Sequence, residues 1–207
     1  MLQRSDEWFD VRLGRFTASQ IHRLLGKEGL KRTNDSINSY AFEKAVETLY
    51  GKEEEGFISL DMQRGINQEP LAFAIFKQLK GFDFLDVEEV GFYKYGEHAG
   101  ASPDGKVSNN YNLEIKCPRR NKFFKLVANG ISEVDNSYIA QMQMQMLCTD
   151  TEKSYFLNYY LEGNIQYWHE IIIPRDEEMI SLIKERINDA VQIKLKYIEN
   201  INKNAQW

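Results

Sequence analysis

Leu113-Glu114-Ile115-Lys116-Cys117 reads as a β-strand, and the fold follows from which way its side chains point. Alternation puts Leu113, Ile115 and Cys117 on one face and Glu114 and Lys116 on the other. A carboxylate and an ammonium sharing one side of a strand are ordinary on an exposed edge. They become informative with Asp104, which lies ten positions upstream in the turn Ser102-Pro103-Asp104-Gly105. A hairpin between the two segments brings the Asp104 carboxylate beside that of Glu114. Taken alone, the Pro and Asp-Gly of that turn have a sufficient backbone reason to be there.

Outward from this strand, Val87–Tyr95 and His98–Ala101 read as further strands, so that with Tyr111–Cys117 the segment is a meander punctuated by Pro103-Asp104-Gly105 and Ser108-Asn109-Asn110. Asn121–Asn129 and Ser137–Cys148 have helical character, the second capped by Ser137. Lys153–Leu161 and Ile165–Ile173 form a hairpin about Glu162-Gly163-Asn164, and Arg175 to about Ile201 is a closing helix. On the N-terminal side, Leu2–Leu13 is a short helix with Ser5 as its cap, and Thr17-Ala18-Ser19-Gln20 is a capping box for a helix that Gly26 closes. Ser36–Tyr50 and Leu60–Lys80 are longer helices ending at Gly51 and Gly81, and Pro70 is expected to bend the second. Helices on both sides of a mixed sheet give an α/β or α+β class, with residues 1–207 as one domain. Met142, Met144 and Met146 alternate with Gln141, Gln143 and Gln145, yet all are helix formers, so the segment is read as a helix with some methionines in the core.

The composition agrees with a folded chain: 207 residues, 43% hydrophobic, 13% aromatic and four prolines. No apolar stretch reaches the roughly 20 residues of a membrane span, and the first residues lack a signal-peptide core, so the expectation is a soluble cytoplasmic protein. Cys117 and Cys148 are far apart with no C-x-x-C, which excludes a four-cysteine zinc or iron–sulfur site within the chain. There are 26 basic and 31 acidic residues, a net charge of −5, which argues against general coating of a polyanion. The basic charge is nevertheless concentrated. Asn112–Gly130 carries five Lys/Arg against one acid, whereas Glu43–Asp61 carries six acids against two bases. Within the basic stretch, Arg119, Arg120 and Lys122 are candidates to track a DNA backbone. Phe123 and Phe124 beside them are read as core. His22, His98 and His169 are scattered and read as structural.

Pro103-Asp104 followed by Glu114-Ile115-Lys116 is the Pro-Asp … Glu-x-Lys pattern of metal-dependent nucleases. Cleaving a phosphodiester requires hard oxygen ligands that hold Mg²⁺ against the phosphate and leave positions for water and substrate. Asp104, Glu114 and the Ile115 carbonyl supply them. A lysine beside them orients the attacking water and offsets the charge that develops on the phosphate, and Lys116 is that cation.

Further blocks extend the pattern: Trp8, Val11-Arg12-Leu13-Gly14 with Phe16-Thr17-Ala18-Ser19, Gly65–Glu69 with Ala72, Ser102–Gly105, Leu113–Pro118 and Tyr138–Gln143. In this order they resemble the phage lambda exonuclease family, also called YqaJ-like viral recombinases, and Ala205-Gln206-Trp207 is similar to that family's C-terminal end. The resemblance implies a restriction-endonuclease-like PD-(D/E)xK core, a central mixed sheet flanked by helices. It implies a Mg²⁺-dependent 5′→3′ exonuclease on double-stranded DNA, with Mn²⁺ as an alternative metal and a pair of ions per site. Arg12, Ser19, Ser102 and Gln141 match residues of a pocket for the terminal 5′-phosphate, and Glu69 matches an acidic residue near the metals. It also implies a ring-shaped homotrimer on double-stranded DNA ends, a single-strand annealing protein as partner, and a phage or prophage origin in a bacterial host. An endonuclease of the same fold would not need a 5′-phosphate pocket, and a non-catalytic DNA-binding subunit would not need Asp104, Glu114 and Lys116 together. No G-x-x-x-x-G-K-[ST] loop is present to support a helicase-linked nuclease.

Overall fold

The structure, a computed structural model, describes residues 3–26, 34–51 and 59–205. Ser5 caps the first helix as its position predicts: extended, it accepts the Trp8 N–H at 3.3 Å and starts α1 (Asp6–Arg12). Thr17 does not cap a helix. It lies in strand β1 (Phe16–Thr17), gives its backbone N–H to the Tyr40 hydroxyl at 3.1 Å and makes no side-chain cap bond. The expected single helix is therefore split into a 3₁₀ turn (Ala18–Gln20) and the four-residue α2 (His22–Leu25), which stops at Gly26 with φ +75°. Burial of Phe16, Ala18, Ile21 and Leu24 holds this irregular path in place.

Helix α3 (Asn34–Tyr50) follows, then α4 (Leu60–Phe82), whose cap is the Ser59 hydroxyl on Met62 N at 3.2 Å. Helix α4 passes through both Pro70 and Gly81 without a break. Ala72, Phe76 and Lys80, spaced by four, are its buried face, and the Lys80 ammonium emerges to pair with Glu170 at 2.9 Å.

The expected meander is instead shared between two sheets. Strands β2 (Val87–Glu88), β3 (Tyr93–Tyr95), β4 (Ala99–Ala101), β5 (Gly105–Val107) and β6 (Tyr111–Lys116) do not pair in sequence order. The smaller sheet runs β1-β4-β3, with β1 parallel and β3 antiparallel to β4. The larger runs β2-β5-β6-β7-β8 and is completed by the hairpin β7 (Lys153–Glu162) and β8 (Ile165–Pro174). Strand β5 is too short for alternation to reveal it and follows directly on the Pro103-Asp104 turn.

Strand β6 is the centre of this sheet, antiparallel to β5 and parallel to β7, with Lys116 in register with Asn158. Between β6 and β7 the chain makes α5 (Arg120–Asn129) and α6 (Asn136–Thr149), the crossover a parallel pair requires. The cap of α6 is Asp135, two residues earlier than the expected Ser137, which instead donates its own N–H to Asp135 at 2.9 Å. The closing helix is α7 (Glu177–Asn204). Gln206 and Trp207 lie outside the described residues.

Two apolar layers enclose the sheet. Leu113, Ile115, Tyr155 and Leu157 pack on Ala72 and Phe76 of α4. On the other face, Phe156 packs on Met142 and Met146 of α6 and Leu126 of α5. Met144 points away, into a third cluster with Phe16, Tyr40 and Ile187. Helix α6 is thus buried on every side, and all three methionines are core. Of the phenylalanine pair, Phe123 is buried and Phe124 half-exposed. Among the described residues no helix is long and apolar enough to cross a membrane.

Candidate active site

Asp104 is clipped to β6 at two points. Its backbone N–H donates to the Leu113 carbonyl at 2.9 Å, and its carboxylate Oδ2 accepts the Ile115 N–H at 2.7 Å. The hairpin thereby places Asp104 level with Glu114, as the sequence spacing suggests. Burial first, then the carboxylates of Glu114 and Glu69, push the Asp104 carboxyl well above its ordinary range, while Lys116 and the Ile115 N–H oppose this.

Glu114 is almost fully buried. Its Oε1 accepts from Lys116 Nζ and from Gln141 Nε2 at 2.7 Å, and its Oε2 accepts from Gln145 Nε2 at 2.6 Å. Burial works to lower the Lys116 pKa, but the Glu114 and Asp104 carboxylates outweigh it and hold the ammonium above its ordinary value. The Lys116 ammonium also lies 4.9 Å from the centre of the Tyr138 ring, whose centre Lys122 approaches at 5.0 Å.

Glu69 stands on α4 immediately before Pro70, which has no N–H for the preceding turn. Its carboxylate accepts from Arg4 at 2.8 Å. Arg4, Glu69, Phe73, Glu89, Asp104 and Ile115 line one cleft of about 190 Å³. Gln3 secures this edge by donating to the Pro103 carbonyl at 2.6 Å.

A second cluster adjoins the first. The Arg12 guanidinium lies 3.9 Å over the Trp8 ring, and Trp8 Nε1 donates to Ser102 Oγ at 2.8 Å. The Ser102 carbonyl in turn is 3.4 Å from Gln145 Nε2, so a continuous set of contacts joins Arg12 to Glu114. Ser19 sits in the 3₁₀ turn that packs against α6, its hydroxyl 3.4 Å from that of Thr17. Gln141, expected with Arg12, Ser19 and Ser102, is buried with its amide on Glu114. Arg119 pairs with Asp61 at 2.7 Å and Arg120 approaches Glu162 at 3.7 Å, both as exposed bridges.

Gln145 and the Trp8 link are contacts of this cluster that the sequence reading misses. Gln145 is one helical turn beyond Gln141, and that i,i+4 spacing alone places two amides on one face of α6. Gln143, between them, turns away and accepts the Asp176 N–H at 2.8 Å.

The residues fit a hard divalent cation. Three carboxylates crowd one edge of the sheet, and the resulting repulsion is what raises Asp104 beyond its burial. Among the described residues no three acidic, His or Cys side chains close on one point by themselves. A metal here would be held by Asp104 and Glu114 with the Ile115 carbonyl, and Glu69 lines the same cleft as Asp104.

This fold is that of a nuclease of the PD-(D/E)xK type. Residues 7–152 match the YqaJ-like viral recombinase domain, and the chain belongs to that family. It is similar to an alkaline exonuclease from Laribacter hongkongensis at 30% identity and a TM-score of 0.82, over 96% of this chain and 97% of that one. The same exonuclease in complex with dAMP matches at 29% identity and a TM-score of 0.81, over 96% and 97%. A phage-related exonuclease from Haemophilus somnus 129PT shares the fold, at 20% identity and a TM-score of 0.70 over 92% and 96%. No curated protein matches the sequence significantly.

Proposed function

We propose that the chain is a Mg²⁺-dependent exonuclease that degrades one strand of duplex DNA in the 5′→3′ direction from a 5′-phosphorylated end. The 3′ single-stranded tail it leaves is the substrate of a single-strand annealing protein in phage-type recombination, and the working form is a homotrimer around the DNA. One observation carries this reading: the buried Glu114 carboxylate, bonded to Lys116, is linked through Gln145, Ser102 and Trp8 to a second cluster holding Arg12. Family membership and the likeness to an exonuclease support it, as does that exonuclease's complex with a nucleoside monophosphate.

In this reading Asp104, Glu114 and the Ile115 carbonyl hold Mg²⁺, which when bound polarises the scissile phosphate and acidifies water near it. Lys116 keeps the attacking water in place and offsets the charge that builds on the phosphate oxygens. The water oxygen bonds to phosphorus as the P–O3′ bond breaks, a proton from the water ends on the departing O3′, and the released nucleotide leaves with a 3′-hydroxyl while the new 5′-phosphate stays on the shortened strand. Arg12, flattened on Trp8, presents its guanidinium fork to the terminal phosphate, with Ser102 and Ser19 as hydroxyl partners. Gln141 holds Glu114 and extends the same helix face towards that phosphate.

The test is digestion of a linear duplex labelled separately on each strand, with a 5′-phosphate or a 5′-hydroxyl, beside a covalently closed circle, in Mg²⁺ and in EDTA. Metal-dependent loss from the 5′-phosphorylated end with the circle intact is the expected result. Linearisation of the circle would establish an endonuclease instead, and binding without cleavage a DNA-binding subunit.

A further inference from the structure

Asn158, in the middle of β7, has no exposed surface, and neither its amide nitrogen nor its carbonyl oxygen has a hydrogen-bond partner. A buried amide in that condition is destabilising, and an apolar side chain of the same size would be the more stable choice. Its position gives the orphan a use. The parallel register sets Asn158 opposite Lys116, as it sets Phe156 opposite Glu114. Residues in register share a face on strands about 4.8 Å apart, so Asn158 stands beside Lys116 on the face covered by α6. On its other side it is in register with His169.

The oxygens of Glu114 are already committed: Lys116 and Gln141 hold Oε1, and Gln145 holds Oε2. A cation that draws on this carboxylate takes it from Lys116, whose side chain is largely enclosed and must then find another acceptor. Asp104 faces the same demand, since it too is a candidate ligand. We infer that Asn158 is a positioning residue for Lys116: its side-chain carbonyl accepts the Nζ–H when Glu114 turns to the metal, and so aims the ammonium at the attacking water. A neutral amide suits this task because it fixes the ammonium without cancelling its charge. This rests on the metal-dependent nuclease reading.

The experiment compares wild type, Asn158→Leu, Asn158→Asp and Lys116→Ala for melting temperature in EDTA and for kcat and KM on a 5′-phosphorylated duplex in Mg²⁺. Asn158→Leu is expected to melt at or above the wild-type temperature, to keep KM within about twofold and to lose about tenfold or more in kcat. Asn158→Asp, which retains an acceptor oxygen but brings a charge that offsets the ammonium, is expected to recover only part of that loss. An undiminished kcat in Asn158→Leu overturns the assignment. So does a fall in melting temperature and kcat together in both variants, which would make Asn158 a packing residue. A wild type that leaves DNA uncut overturns the nuclease reading itself, whereas cleavage by wild type with an undiminished leucine variant overturns this assignment alone.

Discussion

Glu114 receives three hydrogen bonds on a side chain that water does not reach. Such an anion is stable only because each oxygen is served, and each donor becomes a lever on the chemistry. Lys116→Ala removes the one positive charge among them. It is expected to lower the cleavage rate at least about 100-fold while DNA binding, measured by a gel shift in Mg²⁺-free buffer, changes little. Unchanged cleavage would take Lys116 out of the mechanism. Gln145→Leu leaves the charges alone and frees Oε2 from its only partner among the described residues. Groups that orient a metal-binding carboxylate typically contribute 10- to 100-fold in affinity, so a rise of about that size is expected in the Mg²⁺ concentration for half-maximal cleavage, with kcat at saturating Mg²⁺ nearly restored. A lower kcat at every Mg²⁺ concentration would place Gln145 elsewhere in the reaction. The short, wholly buried Gln145 and the solvated bridge of Arg119 to Asp61 mark the extremes of what alternation and charge counting reveal. The strand pattern exposed Glu114 and Lys116 because they are two residues apart. Gln145 belongs to the same site but reaches it from another element, and only tertiary packing brings it there.

At the scale of elements, the turn after α1 is held by groups far away in sequence. The Gly14 N–H donates to Glu47 of α3 at 3.0 Å, and the Gly14 carbonyl accepts from Lys194 of α7 at 2.7 Å. Lys44 completes the cluster by pairing with Glu47 at 2.6 Å, and all three charged side chains are buried. Gly14 has φ +66°, and a Cβ there would collide with Thr48, so no other residue makes this turn at the same place. Arg12 is two residues earlier, and its aim depends on that clamp. Lys194→Met keeps the stem and deletes the charge, leaving the Gly14 carbonyl without its donor. It is expected to cost about 1–3 kcal/mol of stability and, in enzyme that remains folded, to reduce the ratio of rates on 5′-phosphate and 5′-hydroxyl ends. Arg12→Ala is expected to erase most of that ratio with little loss of stability. An unaltered ratio in Arg12→Ala would refute the pocket. Of these elements the long helices and the β7–β8 hairpin were legible from periodicity and turn residues. The Thr17–Gln20 segment was not, because its capping-box pattern competes with strand pairing to β4, and pairing decided over 80 residues of separation is invisible to local rules. The split into two sheets escaped for the same reason: two- and three-residue strands have no period to read.

Over the whole molecule, the net charge of −5 sets a condition on DNA binding. Counterion release gives a slope of roughly −0.9 in log affinity against log salt for each phosphate neutralised. Only cations not already spent on local acids contribute fully. Arg119 and Arg120 face Asp61 and Glu162, so a single chain offers few strong phosphate ligands near the site. A closed ring multiplies those few by its number of copies while keeping the acidic surface outward, and this is how an acidic chain can hold a polyanion. Phe82 and Phe84, 73% and 96% exposed at the end of α4, are apolar surface of the kind that association covers. The expected outcome is therefore a solution mass about three times that of the 24.3 kDa chain, measured by light scattering, and a salt slope on duplex ends several times steeper than one chain's free cations allow. Arg119→Ala combined with Arg120→Ala should flatten that slope by less than the loss of two phosphate contacts would, because both side chains must break ion pairs to reach a phosphate. A single-chain mass at working concentration would remove the ring, and the acidic chain would then have to bind its DNA through the cations of one copy alone.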